Sequence, residues 1–241
     1  MNWTLFIVAG VVGYLCGSVS FARIFIRLAG YDHLEPLDLV SPDGGARMTS
    51  DAVSATAVRL QAGPKWGIAT GIADILKALI PTLAFRLLFP GEPYLYAAGL
   101  MAIVGHNWPV YHGFKGGRGQ SPMIGAMLAI APLGALLCTV VGFVVGYWVI
   151  REPMVSDNLG QVLFIPWVWL AGLGSWGVAW AVAANAVFFG SYTGEIRQYV
   201  AGRRSGHLND PDDVMRMMQM DYDWITSKKP GKPSNPGEET P

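Results

Sequence analysis

The sequence predicts an all-α polytopic membrane protein with seven transmembrane helices of unequal length, its N-terminus outside and its C-terminus in the cytoplasm. The first observation is charge: only 14% of the 241 residues are Asp, Glu, Lys or Arg, whereas soluble domains average about 25%. The second is length, because five apolar stretches approach or exceed the ~20 residues that cross a bilayer. The third is that two of these stretches are long and contain helix breakers, so five stretches are expected to give seven helices.

The first apolar stretch covers Trp3–Leu28 and carries no charge before its second half. Gly13 and Gly17 are four residues apart, a spacing of small residues that is typical of closely packed membrane helices. Arg23 and Arg27 follow at its end. Because positively charged residues stay on the cytoplasmic side, this end is expected in the cytoplasm and the N-terminus outside.

The second and third stretches are residues 66–89 and residues 93–110. Asp74 and Lys77 lie inside the second stretch, three residues apart and therefore on one helix face. A single charge at the centre of a span costs roughly 2.5–3.5 kcal/mol on insertion scales, and a neutralising partner lowers that cost. Two interpretations stay open: a structural ion pair that locks two helices, or a pair that faces a polar active-site cavity.

The two longest stretches are residues 121–150 and residues 161–190. Ala131-Pro132 interrupts the first, and a glycine-rich segment at 172–175 interrupts the second. If both are broken, Arg151 returns to the cytoplasm together with the other basic residues near the membrane. The seven-helix arrangement therefore obeys the positive-inside rule better than a five-helix arrangement does.

A polar segment of residues 30–64 separates the first two stretches. Its first part, residues 31–45, is acidic and rich in turn-forming residues (S-P-D-G-G). Its second part, residues 47–61, carries small and β-branched residues and is expected to form a short amphipathic or re-entrant helix. Such a segment lies at membrane depth only where protein buries it or where it lines a wet cavity.

We divide the chain into a membrane domain, residues 1–194, and a cytoplasmic tail, residues 195–241. The tail has helical spacing of apolar residues at 212–225 and then an end too rich in Pro, Gly and charge to fold alone. Basic and acidic residues number 17 each, so net charge indicates no nucleic-acid partner. Cys16 and Cys138 lie in apolar stretches and are interpreted as small buried hydrophobic residues rather than a disulfide pair.

The most unusual stretch is residues 105–119, G-H-N-W-P-V-Y-H-G-F-K-G-G-R-G, at the edge of an apolar segment. Pro109 ends any helix that enters it, because proline lacks an N–H group and its ring clashes with the preceding turn. Lys115 and Arg118 place two cations among glycines that let a ligand come close. Such a bend suits a phosphate; the alternative is a basic cytoplasmic loop that only fixes membrane orientation.

This stretch resembles the G-H-x-F-P-V-F-x-x-F-K-G-G-K-G block of the bacterial acyl-phosphate:glycerol-3-phosphate acyltransferases, the PlsY family. The residues that match are Gly105, His106, Pro109, Val110, Phe114, Lys115, Gly116, Gly117 and Gly119. Four further segments resemble family blocks in the same order. They are G-S-V-S-F-A-R at 17–23, G-P-K-W-G…D-I-L-K at 63–77, R-E-P-M-V-S at 151–156 and G-E-I-R-Q-Y-V-A-G-R at 194–203.

The chain departs from the family pattern in two blocks. Residues 49–57 stand where the family has G-S-G-N-x-G-A-T-N, and Ala52 and Ala57 replace both asparagines. An insertion precedes this block. In the last block, Tyr192 and Glu195 occupy the positions of the family's histidine and asparagine.

The resemblance implies transfer of a fatty acyl group from acyl-phosphate to a hydroxyl of glycerol 3-phosphate, which gives lysophosphatidic acid for phospholipid synthesis. The expected partners are these two substrates and the lipid bilayer, and the expected location is the bacterial cell (inner) membrane with a cytoplasmic active face. Acyl-phosphate is already activated, so the protein's task is positioning and charge stabilisation. We expect no cofactor and no metal, because no ligand cluster with suitable spacing occurs.

The resemblance also implies site residues. We expect His106, Lys115 and Glu195 to be catalytic, although a helix-end histidine bonded to backbone is the alternative for His106. Arg59 is the alternative to Arg47 as a second phosphate clamp. The residues expected to bind phosphate or other parts of the substrates are Ser18, Arg47, Ser50, Thr56, Gly116, Gly117, Arg118, Gly119 and Ser156.

Two other functions are compatible with the sequence. The lost asparagines and histidine favour a catalytically weakened paralogue that binds acyl-phosphate, a lysolipid or a partner enzyme. A small transporter with Asp74 and Lys77 in its pathway would require a polar stripe across several helices, which the sequence does not show.

Overall fold

The computed structural model describes residues 1–41 and 43–208, and this part of the chain is mostly helical. The expected tail helix at 212–225 lies outside the described residues. Within them the elements are, in chain order, α1 (Trp3–Gly17), α2 (Phe21–Leu28), β1 (Leu37–Val40), β2 (Arg47–Ser50), α3 (Ala55–Ala62), α4 (Pro64–Leu88), α5 (Tyr94–Asn107), a 3-10 turn (Val110–His112), α6 (Gln120–Ile130), α7 (Pro132–Val144), a π-helical turn (Val145–Ile150), α8 (Pro153–Leu170), α9 (Gly174–Ser191) and α10 (Thr193–Arg204).

Glycines set the closest helix contact, between α1 and α5. A Cβ atom added at Gly13 would lie 2.1 Å from the carbonyl oxygen of Ala98, and one added at Gly17 would lie 2.1 Å from that of Ala102. In return, Gly105 of α5 lies against the backbone of Tyr14. The expected close packing of the first helix is therefore confirmed, and it allows dispersion contacts along the whole interface.

Helix α4 lies in the middle of the molecule and contacts α1, α3, α5 and α6. Its approach to α6 is again at a glycine, because a Cβ atom at Gly125 would lie 2.1 Å from the carbonyl oxygen of Ile75. The main hydrophobic core lies beside this contact, between α5, α6, α8 and α9. Its largest fully or almost fully buried side chains include Met123, Met127, Phe164, Trp180 and Phe188.

Both expected helix breaks are present. α6 ends at Ile130, and Pro132 begins α7, since proline fits the first turn of a helix but not its interior. α8 ends at Leu170, and Gly172 and Gly174 follow with φ of +68° and +73°, the left-handed region that favours glycine. Within residues 1–41 and 43–208, three helical segments are long and apolar enough to cross a membrane: Trp3–Leu28, Pro64–Leu88 and Pro132–Ile150.

The polar segment corrects one expectation. Only the second half of residues 47–61 is helical, as α3, whereas β2 pairs antiparallel with β1 in a two-stranded hairpin. The turn has a local cause: the Asp43 carboxylate accepts hydrogen bonds from Ser41 Oγ at 2.5 Å and from the Gly45 N–H at 3.0 Å. Asp and Gly at these positions favour a tight turn, and the hairpin then buries one face on its neighbours.

The hairpin is attached to α10. The Thr49 N–H donates to Gln198 Oε1 at 2.7 Å, and Gln198 Nε2 donates to the Thr49 carbonyl at 3.0 Å. His207 Nδ1 lies 2.7 Å from Asp43 Oδ2 at the turn. A small core of Ala46, Tyr199 and Leu208 fills the space between. α10 begins at Thr193 and so crosses the boundary drawn between residues 194 and 195; that division stays a prediction.

Candidate active site

A cavity of about 190 Å³ lies under the hairpin, at the end of the helices where the glycine-rich stretch lies. Its walls come from the hairpin, α3, α4, the end of α5, the start of α6, the start of α8 and the junction of α9 with α10. The charged, histidine and tyrosine side chains that line it are Asp74, His106, Arg118, Asp157, Tyr192 and Glu195. The fold thus gathers residues that are far apart in the chain.

Arg118 and Glu195 form the centre of a hydrogen-bond network on this cavity. Arg118 Nε donates to Glu195 Oε1 at 2.7 Å, and Ser50 Oγ donates to the same oxygen at 2.6 Å. Arg118 Nη2 also donates to Asp51 Oδ1 at 3.0 Å. These charge-assisted bonds fix the guanidinium at the cavity wall. Glu195 is 6% exposed, and its Oε2 is buried with no hydrogen-bond partner in the described part of the chain.

The glycine-rich loop folds back onto the end of α5. The Gly117 N–H donates to the His106 carbonyl at 3.1 Å, and the Val53 N–H donates to the Gly116 carbonyl at 3.1 Å. A Cβ atom at Gly117 would lie 2.1 Å from His106 Nε2. Gly116 and Gly117 therefore pack closely against the end of α5 and line a much smaller space of about 10 Å³; their part in binding phosphate stays a prediction. Gly119 does line the main cavity.

Asp74, Lys77 and His106 meet at the floor of the cavity. Lys77 Nζ lies 2.8 Å from Asp74 Oδ1 and donates to the Val19 carbonyl at 2.7 Å. His106 Nδ1 lies 3.8 Å from the same Asp74 oxygen. Lys77 ties α4 to the α1–α2 connection while Asp74 lines the cavity, so both interpretations of the ion pair stay open.

Arg47 does not lie at the cavity. It is on the outward face of the hairpin, where its guanidinium binds the Asp38 carboxylate through two hydrogen bonds. The reason is the period of two along a strand: Met48 and Ser50 are partly buried on the inner face, so Arg47 lies on the opposite, exposed face. Neither Arg47 nor its alternative, Arg59, lines the cavity, so the structure brings neither expected phosphate clamp to this site.

Three other expected site residues lie away from the cavity. Ser18 Oγ donates to the Tyr14 carbonyl at 2.8 Å, and Ser156 Oγ donates to the Glu152 carbonyl at 3.1 Å. Both are buried hydroxyls that bond the preceding helical turn. Lys115 is exposed within the glycine-rich loop and is not among the residues that line the cavity. Thr56, in contrast, does line the cavity.

The structure adds residues that the sequence did not single out as site residues. Asp157 and Tyr192 line the cavity opposite Arg118, and Gln120 Nε2 donates to the Asp157 carbonyl at 2.7 Å. Burial, and then the neighbouring carboxylates of Asp157 and Glu195, raise the pKa of Tyr192 to about 12. Its phenol is therefore a neutral hydrogen-bond donor at neutral pH. Two features of the sequence pointed to them. Tyr192 occupies a position where this chain differs from the family pattern, and Asp157 directly follows Ser156, an expected site residue.

The profile of the family described as glycerol-3-phosphate acyltransferase matches residues 7–202. The chain belongs to this family. A glycerol-3-phosphate acyltransferase of Neisseria meningitidis serogroup C is 32% identical over 174 residues, which cover 67% of this chain and 82% of that protein. The one from Anaeromyxobacter dehalogenans is 32% identical over 200 residues, covering 79% and 91%.

Solved structures of this glycerol-3-phosphate acyltransferase family agree with the fold. Two crystal structures of PlsY, described as an integral membrane glycerol 3-phosphate acyltransferase, match with a TM-score of 0.69 at 26% identity, covering 82% of this chain and 93% of theirs. One is described as its lysophosphatidic acid form and the other as its glycerol 3-phosphate form. The expected family and the helical, multi-pass membrane fold are thereby confirmed.

Proposed function

We propose that this chain transfers a fatty acyl group from an acyl-phosphate to a hydroxyl of glycerol 3-phosphate and so makes lysophosphatidic acid for phospholipid synthesis. Membership of the glycerol-3-phosphate acyltransferase family supports the reaction class. The sequence block shared with acyl-phosphate-dependent members supports the donor. The single observation that carries the proposal is that Arg118 of that block lies at the cavity, held there by carboxylates from two other segments.

Arg118 is the proposed phosphate anchor. A guanidinium binds phosphate oxygens through paired N–H groups, and Glu195 fixes its orientation from the first turn of α10. The Asp51 side chain is 83% exposed, so an incoming phosphate replaces it on Nη2 at little cost. Lys115 is exposed within the glycine-rich loop and adds a positive charge that attracts the anionic substrates.

His106 is the proposed proton acceptor. The acceptor hydroxyl oxygen attacks the acyl carbon, the bond from that carbon to the phosphate oxygen breaks, and inorganic phosphate leaves. The hydroxyl proton passes to the imidazole, whose positive charge Asp74 stabilises from 3.8 Å. Since acyl-phosphate is already activated, positioning on Arg118 and charge stabilisation supply the rest of the rate enhancement.

The proposed topology has seven spans, with the N-terminus outside and the cavity open to the cytoplasm of a bacterial cell. Basic residues at the cavity end, including Arg23, Arg27 and Arg151, support this orientation. α6 has 11 residues, which at 1.5 Å each is about 16 Å, much less than a bilayer core of ~30 Å. Because the start of this short helix lines the cavity, the proposed position of the cavity is below the membrane surface. The hairpin, α3 and α10 cover it.

The proposal is tested with purified full-length protein in detergent, palmitoyl-phosphate and glycerol 3-phosphate. We expect phosphate release that depends on glycerol 3-phosphate, with lysophosphatidic acid as the product by mass spectrometry. Phosphate release no greater than that in membranes from cells without the protein would refute the proposed enzymatic function. Binding of palmitoyl-phosphate without release would instead favour the weakened paralogue.

A further inference from the structure

The hairpin of β1 and β2 has one face turned to the cavity. The register pairs Leu37 with Ser50 and Leu39 with Met48, and these four side chains are partly buried, whereas the alternate ones are exposed. Leu37, Leu39 and Met48 all line the cavity. The insertion lies before the family's second block, in the part of the chain that contains β1 and the turn, whereas β2 runs into that block at Thr49 and Ser50.

Leu37 differs from the other two apolar residues on this face. Leu39 and Met48 also pack against the small core around Tyr199, and Leu37 is not part of that cluster. A partly buried leucine with no share in a core leaves apolar surface available to a ligand. Burying such surface on a ligand contributes about 25 cal/mol per Å².

The position of Leu37 relates this apolar surface to the proposed phosphate anchor. Directly opposed residues on antiparallel strands have Cβ atoms about 4.5–5.5 Å apart, and the partner of Leu37 is Ser50. Ser50 Oγ bonds Glu195 at 2.6 Å, and Glu195 holds Arg118. Apolar lining therefore begins next to the residues that orient the anchor and continues with Leu60 of α3.

We propose that the inner face of the hairpin, with Leu37 first, is a binding surface for the acyl chain of the donor. An acyl-phosphate carries a phosphate next to an acyl group with an apolar chain. The cavity wall has the same order, with the proposed anchor Arg118 followed by the apolar face that begins at Leu37. The inference rests on the proposed function. The inference extends that function by making the hairpin a determinant of which acyl chain the enzyme accepts.

The test compares Leu37→Ala with the unchanged full-length enzyme, using palmitoyl-phosphate and acetyl-phosphate as donors. Acetyl-phosphate has no chain to reach the wall. We expect the KM for palmitoyl-phosphate to rise about tenfold, the lower end of the 10–200-fold that one methylene in a hydrophobic pocket contributes, while the KM for acetyl-phosphate and for glycerol 3-phosphate stays unchanged. Leu37→Met, which keeps the volume, should retain the value for palmitoyl-phosphate.

Val40→Ala is the matched control, because Val40 lies on the outward face of the same strand and is 42% exposed. An equal loss with both donors, or no change with palmitoyl-phosphate, would overturn the proposal. Calorimetric binding of palmitoyl-phosphate makes the same comparison without turnover. If Leu37→Ala binds palmitoyl-phosphate more weakly than the unchanged chain does, but the unchanged chain transfers no acyl group, the acyl surface is supported and the proposed enzymatic function is refuted. Equal binding by the two chains would overturn the acyl surface.

Discussion

Positive charge is scarce at the cavity, and this makes single residues decisive. Among the described residues that line it, Arg118 is the only Lys or Arg, while Asp74, Asp157 and Glu195 are carboxylates. Lys77 neutralises Asp74, and Arg118 is shared between Glu195 and Asp51. A phosphate anchored here therefore depends on one guanidinium and on the carboxylate that orients it.

Glu195→Gln tests this dependence. The neutral amide loses the charge-assisted bond to Arg118, which is about twice as strong as a neutral one, so we expect kcat/KM for palmitoyl-phosphate to fall about tenfold, or ~1.4 kcal/mol. Steady-state kinetics on the purified variant provides the measurement. Asp38→Asn is the control, because it removes the carboxylate from an exposed pair with Arg47, and solvent screens such a pair. Unchanged kinetics in Glu195→Gln would mean that Arg118 needs no such partner.

The sequence predicted the residues of the site unevenly, and the reasons are geometric. His106, Arg118 and Glu195 were identified from family blocks, and they do meet at one cavity. Arg47 was placed by its distance along the chain, but a strand reverses the direction of a side chain with every residue. Ser156 is in a matching block, yet its hydroxyl bonds the preceding helical turn.

Among the elements, the breaks were predictable and the hairpin was not. Proline and glycine interrupt helices through local backbone chemistry, which a sequence displays directly. The strands have four residues each, too few for an alternating pattern to stand out. Their pairing depends on the turn at Asp43 and on contacts with α10, which are distant in the chain.

The glycine-rich loop makes a prediction at this scale. Gly117→Ala should lower the melting temperature and abolish most activity, because the added Cβ would lie 2.1 Å from His106 Nε2 and 2.9 Å from the Val53 carbonyl oxygen. Gly190→Ala is the control, with no neighbouring atom within 4 Å of its added Cβ inside helix α9. Alanine is better than glycine by about 1 kcal/mol within a helix, so this variant should be as stable as the parent or slightly more so. Equal behaviour of the two variants in thermal unfolding and turnover would contradict the tight packing of the loop.

On the scale of the whole molecule, the cavity exists because long-range contacts join short helices. Ser50 and Glu195 are 145 residues apart in sequence, and Arg118 and Glu195 are 77 apart. The apolar stretches predicted the helices, but not which side chains would meet between them. The family blocks supplied that information only where this chain keeps them.

The seven-span topology makes its own prediction. After replacement of Cys16 and Cys138, a cysteine at Arg151 should react with a membrane-impermeant maleimide only from the cytoplasmic side. A cysteine at Glu92, whose side chain is 42% exposed between α4 and α5, should react only from outside. Labelling of both positions from the same side would contradict seven spans and favour five.

The central claim is that this chain acylates glycerol 3-phosphate with Arg118 as its phosphate anchor. Complementation of a bacterial strain that lacks its own acyl-phosphate-dependent acyltransferase tests it most directly, with membrane levels of each variant checked by immunoblot. We expect growth with the unchanged chain and with Arg47→Ala, and no growth with Arg118→Ala. Absence of growth with the unchanged chain at normal membrane levels, or growth with Arg118→Ala, would contradict the claim.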